Sequence, residues 1–83
     1  MTLLYFAWVR QRIGRGEETL ALPEGVGTVG ELAAWLAKRG GSYAEAFSDP
    51  RRLRAAVNQV HARFDAPIAA DDEIAFFPPV TGG

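Results

Sequence analysis

The two glycines at the end of the chain, Gly82 and Gly83, are the residues whose type and position best suit chemistry. Glycine has no Cβ, so the pair can thread a narrow pocket and leave the terminal carboxylate of Gly83 sterically open. A plain carboxylate is a poor acyl donor, and we therefore expect adenylation followed by exchange of one oxygen for sulfur. Because the chain has no cysteine, this carboxylate is its best place to carry sulfur.

The residues before the glycines favour an extended tail. Pro78 and Pro79 lack the amide hydrogen that sheet pairing needs, and they favour a polyproline-like path through Val80 and Thr81. An extended run of six residues reaches roughly 20 Å. We expect a folded domain over residues 1–77 and a tail over residues 78–83 that can enter the active site of another protein. The alternative is that the terminal residues are merely frayed.

Other polar side chains are weaker candidates for a site. Asp71, Asp72 and Glu73 could suggest a metal site, but aspartate is common in tight turns and no histidine or further carboxylate lies nearby in sequence to complete a ligand set. His61 is the single histidine, and a lone histidine makes a poor metal site. We predict turn residues, a surface or rim role for His61, and no metal.

Charge and length exclude several classes of function. Nine Lys and Arg against ten Asp and Glu give a net charge of −1, which argues against nucleic acid or an anionic membrane as partner. Arg51, Arg52 and Arg54 form a local basic cluster that is either a solvated loop or a contact for an acidic partner. A chain of 83 residues builds one modest core, too small to wall a deep cleft, so binding is expected rather than stand-alone catalysis.

The start of the chain predicts a strand rather than a targeting segment. Its apolar run over residues 3–9 is too short to span a membrane and has no cationic leader. We therefore expect a cytoplasmic protein.

Alternating apolar residues and turn signals predict the elements that carry the tail. A capping box from Thr28 to Glu31 predicts a helix that ends at Gly40-Gly41, and the same pattern from Ser42 to Glu45 predicts a short second helix. The predicted strands cover residues 2–9, 17–22, 53–57, 60–64 and 73–77. This order predicts an α+β fold of the ubiquitin-like β-grasp type, with a mixed sheet of about five strands and the helices on one face.

The first and last predicted strands are apolar on both faces, which is unusual for a sheet covered on one side. In a β-grasp sheet these strands are neighbours, so Leu4, Phe6, Trp8 and Phe77 would share the face turned away from the helices. An exposed apolar patch of this kind predicts a protein-binding surface. The alternatives are a reversed register or a loop that covers the face.

Three stretches of the sequence resemble the small, sulfur-carrier subunit family of molybdopterin synthase. They are residues 72–83, which end in Phe-Phe-Pro-Pro-Val-Thr-Gly-Gly, residues 55–59, Ala-Ala-Val-Asn-Gln, and residues 4–10 at the start. The resemblance implies a β-grasp protein whose terminal Gly83 is adenylated by a ubiquitin-activating-type enzyme and then converted to a thiocarboxylate. ATP is used by that enzyme, and no cofactor is expected to bind this chain.

The resemblance also implies how the sulfur is used. The tail would insert into the large synthase subunit and donate sulfur to cyclic pyranopterin monophosphate, with two carriers and two large subunits in a heterotetramer. The catalytic residues would lie on that partner, and this chain would be its non-catalytic donor. The family docking surface corresponds to Phe6, His61 and Phe77, although the family usually has an apolar residue at the position of His61.

Two other functions fit the same features. A related sulfur carrier for thiamine biosynthesis or tRNA thiolation would share the fold and the Gly-Gly end. The run Phe77-Pro78-Pro79 and the second helix favour the sulfur carrier of molybdopterin synthase instead. A ubiquitin-like protein modifier or interaction module would use the tail for binding or for an isopeptide bond, without moving sulfur.

Overall fold

A computed structural model describes residues 1–79 of the chain. Five strands form a single mixed sheet, and three short helices and one 3₁₀ turn connect them. The strands are β1 (Thr2–Tyr5), β2 (Glu17–Thr19), β3 (Arg54–Val57), β4 (Val60–Ala62) and β5 (Glu73–Phe77). The helices are α1 (Ala7–Ile13), α2 (Val29–Ala37) and α3 (Gly41–Phe47), and the 3₁₀ turn covers Pro50–Arg52.

The strands lie in the order β2-β1-β5-β3-β4, with β1 and β5 parallel and the other neighbours antiparallel. This is the predicted β-grasp arrangement, and the predicted strand 73–77 and its place beside the first strand are confirmed. One face of the sheet carries the core. Two pairs of register partners from β1 and β5 are buried on that face: Leu3 with Ile74, and Tyr5 with Phe76.

The prediction of one long strand over residues 2–9 is wrong. The strand ends at Tyr5, Ala7 takes a left-handed backbone conformation with φ 52°, and α1 begins there. Val9 is buried and Ile13, four residues later, packs against the core, so one side of this helix faces inward. Gly14, with φ 90°, ends the helix and donates its amide hydrogen to the Arg10 carbonyl.

Both predicted helices are present, but α2 ends at Ala37, before the predicted stop at Gly40-Gly41, and the capping of α3 differs from the prediction. At the start of α2, Thr28 Oγ1 accepts a hydrogen bond from the Glu31 amide, as the capping box predicts, while Glu31 Oε1 accepts from the Gly27 amide. The short helix α3 begins at Gly41 without a side-chain cap, so the predicted capping pattern from Ser42 is wrong.

The strands predicted over residues 53–57 and 60–64 are present as β3 and β4 and form a hairpin with Asn58 and Gln59 at its turn. Both residues have positive φ, 50° and 70°, as a tight two-residue turn between β3 and β4 requires. Asn58 also anchors this turn to the start of the central strand β5, because its Oδ1 accepts from the Glu73 amide at 3.0 Å and its amide donates to the Glu73 carbonyl at 2.8 Å. The turn therefore holds two of the strands that build the uncovered face.

Candidate functional site

The face of the sheet opposite the core carries one row of side chains across four strands. Leu4 on β1, Ala75 on β5, Ala56 on β3 and His61 on β4 are register partners in turn, and register partners share a face. The two alanines in the middle have small side chains, so the surface is lower at the centre of the row than at its ends. We call this surface, with Phe6 and Phe77 at its end, the open face.

The open face is a shallow depression of about 430 Å³. Aromatic rings stand at its margin: Phe6 is 48% exposed, and Phe77 packs edge-on against the His61 ring with the centroids 5.3 Å apart. An apolar depression between raised rings can accept apolar side chains from another protein, because their contact removes both surfaces from water.

The two ends of the open face differ in charge. At one end, Glu73 begins β5 after Asp71 and Asp72. The Asp72 carboxylate closes the preceding turn, because it accepts hydrogen bonds from the Ala69 amide at 2.8 Å and from the Asn58 side chain at 3.0 Å. These hydrogen bonds, chiefly the one from Asn58, lower the pKa of Asp72 below its usual 3.8. The predicted turn is confirmed. At the other end, Phe77 leads into Pro78, and its register partner is Arg54.

A second polar cluster lies on the core side of the sheet, around the carboxylate of Glu18 on β2. This carboxylate accepts from Tyr5 Oη at 2.7 Å, Arg39 Nη1 at 2.6 Å, Arg15 Nη1 at 3.1 Å and Tyr43 Oη at 3.1 Å. Its side chain is only 6% exposed. The cluster joins an edge strand to β1, to α3 and to the chain between α2 and α3.

The protonation states of this cluster follow from its contacts. Burial favours the neutral form of Glu18, but hydrogen bonds from Tyr5, Arg39 and Tyr43 outweigh burial and lower the pKa of Glu18 below 4.5. Burial, together with the hydrogen bond to the Glu18 carboxylate, raises the pKa of Tyr5 far above 10. Glu18 is therefore a carboxylate fixed by donors and tied into the fold, which makes it a structural group rather than a proton donor.

Comparison with known proteins identifies the family. The sequence profile of the ThiS family matches residues 3–83. The chain belongs to the ThiS family. Two curated relatives of this ThiS-family chain are named molybdopterin synthase sulfur carrier subunit. The Escherichia coli protein is 42% identical over 81 residues, which cover 98% of this chain and 96% of the relative, and the Haemophilus influenzae protein is 35% identical over 83 residues, covering 100% and 99%.

Solved structures show the same fold as this ThiS-family chain. A Pyrococcus furiosus protein described as a candidate molybdopterin converting factor subunit 1 has a TM-score of 0.68 at 25% identity, with 95% of each chain covered. SAMP1 from Haloferax volcanii has a TM-score of 0.66 at 23% identity, with 100% of this chain and 98% of the other covered. At that identity the second likeness concerns the fold alone.

Of the apolar residues predicted to share a surface on the ThiS-family chain, three lie together. Leu4, Phe6 and Phe77 line the open face, and His61 lies beside them. The placement predicted for Trp8 is wrong, because the strand ends before it. Trp8 lies in α1, half-buried against the core, with the Arg52 guanidinium carbon 4.5 Å from the centre of its ring.

The open face of this ThiS-family chain is also lined by Ala56, Gln59 and Glu73, which were not predicted from the sequence. Alternation along the predicted strand 53–57 would have placed Ala56 there, since it lies one step from Ala55 on the other face. The inward position of Glu18 was not predicted either. Glu18 has the same parity as the apolar Leu20 in the predicted strand 17–22, but a charged residue is rarely expected inside.

The remaining site predictions concern the tail. Pro78 and Pro79 follow β5 outside any strand and are half-buried. The predictions for Val80, Thr81, Gly82 and Gly83 lie outside the described residues. Within residues 1–79, no group of three or more His, Cys, Asp or Glu side chains is placed to hold a metal ion, and none of the helices is long and apolar enough to cross a membrane.

Proposed function

We propose that this protein is the sulfur carrier of molybdenum-cofactor synthesis, with the sulfur held as a thiocarboxylate at Gly83. A ubiquitin-activating-type enzyme would join the Gly83 carboxylate to the adenylyl group of ATP and release pyrophosphate. The resulting acyl adenylate has a good leaving group, so a sulfur nucleophile delivered by that system can displace AMP. The carrier then donates its sulfur to cyclic pyranopterin monophosphate in the large synthase subunit.

One observation carries this proposal. Two relatives that match this chain over nearly their whole lengths, at 42% and 35% identity, are both named molybdopterin synthase sulfur carrier subunit. The family match continues through Gly83, so it includes the residue to which the chemistry is assigned.

The position of β5 supports the division into a domain over residues 1–77 and a tail over residues 78–83. β5 is the middle strand of the sheet, hydrogen-bonded on both sides, and the Phe6 amide donates to the Phe76 carbonyl at 3.1 Å near its end. The chain therefore leaves a firmly held strand at the margin of the open face. A partner that covers the open face would receive the tail beside that contact, and six extended residues can reach roughly 20 Å into it.

The same geometry supports a division of roles between this chain and a catalytic partner. The open face offers apolar contact through Leu4, Phe6 and Phe77, and its lining within residues 1–79 presents no pairing of a nucleophile with a base. We therefore assign binding and delivery to this chain, and assign catalysis to the large synthase subunit. Buried aromatic side chains are the usual anchors of such interfaces.

The test is the intact mass of the protein purified from its own cells. The proposal expects a fraction of the wild-type chain to carry the mass increase of one oxygen replaced by sulfur, with fragmentation placing it on Gly83. A variant that lacks Gly83 should show no such species and no sulfur transfer to cyclic pyranopterin monophosphate with the large subunit, while Lys38→Ala, an exposed change at the end of α2, should behave as wild type.

Two results would contradict the proposal. One is sulfur transfer by the variant without Gly83 at the wild-type rate. The other is a chain recovered as an adduct on lysine side chains of other proteins with no thiocarboxylate form, which would indicate a protein modifier. Thermal melting of the shortened variant should stay close to that of wild type, because the change lies beyond the folded strands.

A further inference from the structure

Two arginines, Arg52 and Arg54, lie near the end of β5, where the chain leaves the sheet. Arg54 begins β3 and is the register partner of Phe77, so its side chain lies on the open face beside that ring. Its Nη1 donates to the Leu53 carbonyl at 2.9 Å. This hydrogen bond fixes one edge of the guanidinium group and leaves its other donors toward solvent.

Arg52 is held in a different way. Its guanidinium carbon lies 4.5 Å from the centre of the Trp8 ring, the distance of a cation–π contact. The Trp8 side chain has no hydrogen-bond acceptor, so this contact leaves the N–H donors of Arg52 available. The early end of the first strand makes this contact possible, because it places Trp8 on α1 near the 3₁₀ turn Pro50–Arg52.

Neither of these two arginines has a carboxylate partner among residues 1–79. Other arginines of the protein do: Arg51 pairs with Asp49 at 3.1 Å, and Arg12 with Glu45 at 3.4 Å. We call Arg52 and Arg54 the arginine pair. Both members are exposed, both are oriented by a contact that leaves donors free, and both lie at the end of β5 from which the tail continues.

We propose that the arginine pair binds carboxylate side chains at the mouth of the channel in the large synthase subunit that receives the tail. This inference rests on the proposed function and adds the chemistry of the partner surface. Guanidinium groups bind carboxylates through two parallel hydrogen bonds, and a group that is already oriented loses less freedom on binding. Two arginines are too few for a phosphate backbone, which is bound through many such contacts.

The charges at the two ends of β5 give the pair a second role. Asp71, Asp72 and Glu73 lie at the start of the strand, and the arginine pair lies at its end. A partner with carboxylates at its channel mouth attracts the end that bears the tail. In the reversed orientation it would meet the acidic end, and like charges would oppose each other. The arginine pair thus selects the one docking orientation that directs the tail into the channel.

The experiment measures the affinity of the full chain for the large synthase subunit by calorimetry, over a series of NaCl concentrations. The first variant, Arg52→Gln with Arg54→Gln, removes both charges. The second, Arg52→Lys with Arg54→Lys, keeps the charges but loses the planar fork. Lys38→Gln is the control, because it removes one positive charge from the end of α2, on the helix side of the sheet. The single variants Arg52→Gln and Arg54→Gln each remove one positive charge, as Lys38→Gln does, and are therefore compared directly with this control.

We expect the glutamine double variant to bind about tenfold more weakly at low salt, with a shallower dependence on salt, because interfacial charges govern both quantities. The lysine double variant should keep the salt dependence of wild type but lose about fivefold in affinity, since lysine cannot form the two parallel hydrogen bonds. Lys38→Gln should bind as wild type. Thermal melts of all variants report whether the fold is intact.

Each failure has a separate meaning. If wild type binds the large subunit and the glutamine double variant binds within twofold of it, the inference is wrong and the proposed function stands. If the lysine double variant binds as tightly as wild type, the partner does not depend on the oriented guanidinium groups, and the inference is again wrong. If wild type itself does not bind the large subunit, the proposed function fails first.

Discussion

Replacing Glu18 by alanine should cost this protein a large part of its stability. The carboxylate accepts four hydrogen bonds, of which those from Tyr5 at 2.7 Å and from Arg39 at 2.6 Å are the shortest. Tyr5 is 1% exposed, so its hydroxyl group cannot turn to water when the acceptor is gone. The substitution therefore removes charged hydrogen bonds and also leaves a buried donor without a partner.

The size of the effect can be worked from these contacts. Breaking a buried ionic contact by removing one partner costs about 3 to 5 kcal/mol. The whole free energy of unfolding of a domain of this length is on the order of 4 to 12 kcal/mol. Glu18→Ala is thus expected to remove about a quarter or more of the stability, whereas Glu18→Gln, which keeps the shape and one acceptor, should cost about 1.5 to 3 kcal/mol.

The effect has a defined dependence on pH. The folded protein lowers the pKa of Glu18 below the ordinary 4.5, so the charged form is favoured by folding. Its contribution is fully present above pH 4.5, and it is lost as the pH falls below 4.5 through the folded pKa. The difference in unfolding free energy between wild type and Glu18→Gln should therefore be constant near neutral pH and shrink in acid.

Urea unfolding followed by circular dichroism measures these differences. Tyr5→Phe provides the second arm of a double-mutant cycle: without the hydroxyl group, Glu18→Ala no longer leaves a buried donor unpaired, so the two changes together should cost less than their sum by about 0.5 to 3 kcal/mol. If Glu18→Ala lowers the free energy of unfolding by less than about 1 kcal/mol at neutral pH, the buried hydrogen bonds to Glu18 do not stabilise the fold as argued.

Two further predictions concern the open face. Asn58→Ala should lower the free energy of unfolding by about 1 to 3 kcal/mol, because it removes the hydrogen bonds to Glu73 and Asp72 and places alanine at positive φ; an unchanged urea midpoint would contradict this. Phe77→Ala should weaken binding to the large synthase subunit by about 1 to 4 kcal/mol, as loss of an aromatic anchor does. Val60→Ala is the control, an exposed apolar residue outside the open face; equal affinity for wild type and Phe77→Ala would argue against docking through this face.

Much of the fold follows from local patterns in the sequence. The alternation of Ile74 and Phe76 with Ala75 and Phe77 predicted β5 and its two faces, and the structure confirms both. The turn at Asn58-Gln59 and the cap at Thr28 were predictable for the same reason: each depends on contacts between residues close in the chain.

The first strand shows where local patterns are insufficient. Residues 3–9 are apolar throughout, a composition that suits a strand with two buried faces and a short helix equally well. The spacing of Val9 and Ile13 and the stop at Gly14 do indicate a helix, but the backbone turn at Ala7, with φ 52°, is a conformation that alanine rarely adopts. Packing of α1 against α3 and the end of β5 decides in its favour.

The sequence by itself determined the fold class, the strand that carries the tail, and the Gly82-Gly83 end on which the proposed chemistry depends. These features depend on residues that are close together in the sequence. Only the tertiary structure brought His61 against Phe77, placed Arg52 on Trp8 and Arg54 beside the end of β5, and enclosed Glu18 between two tyrosines and two arginines. Such contacts join residues far apart in sequence, and they exist only after the sheet register is set.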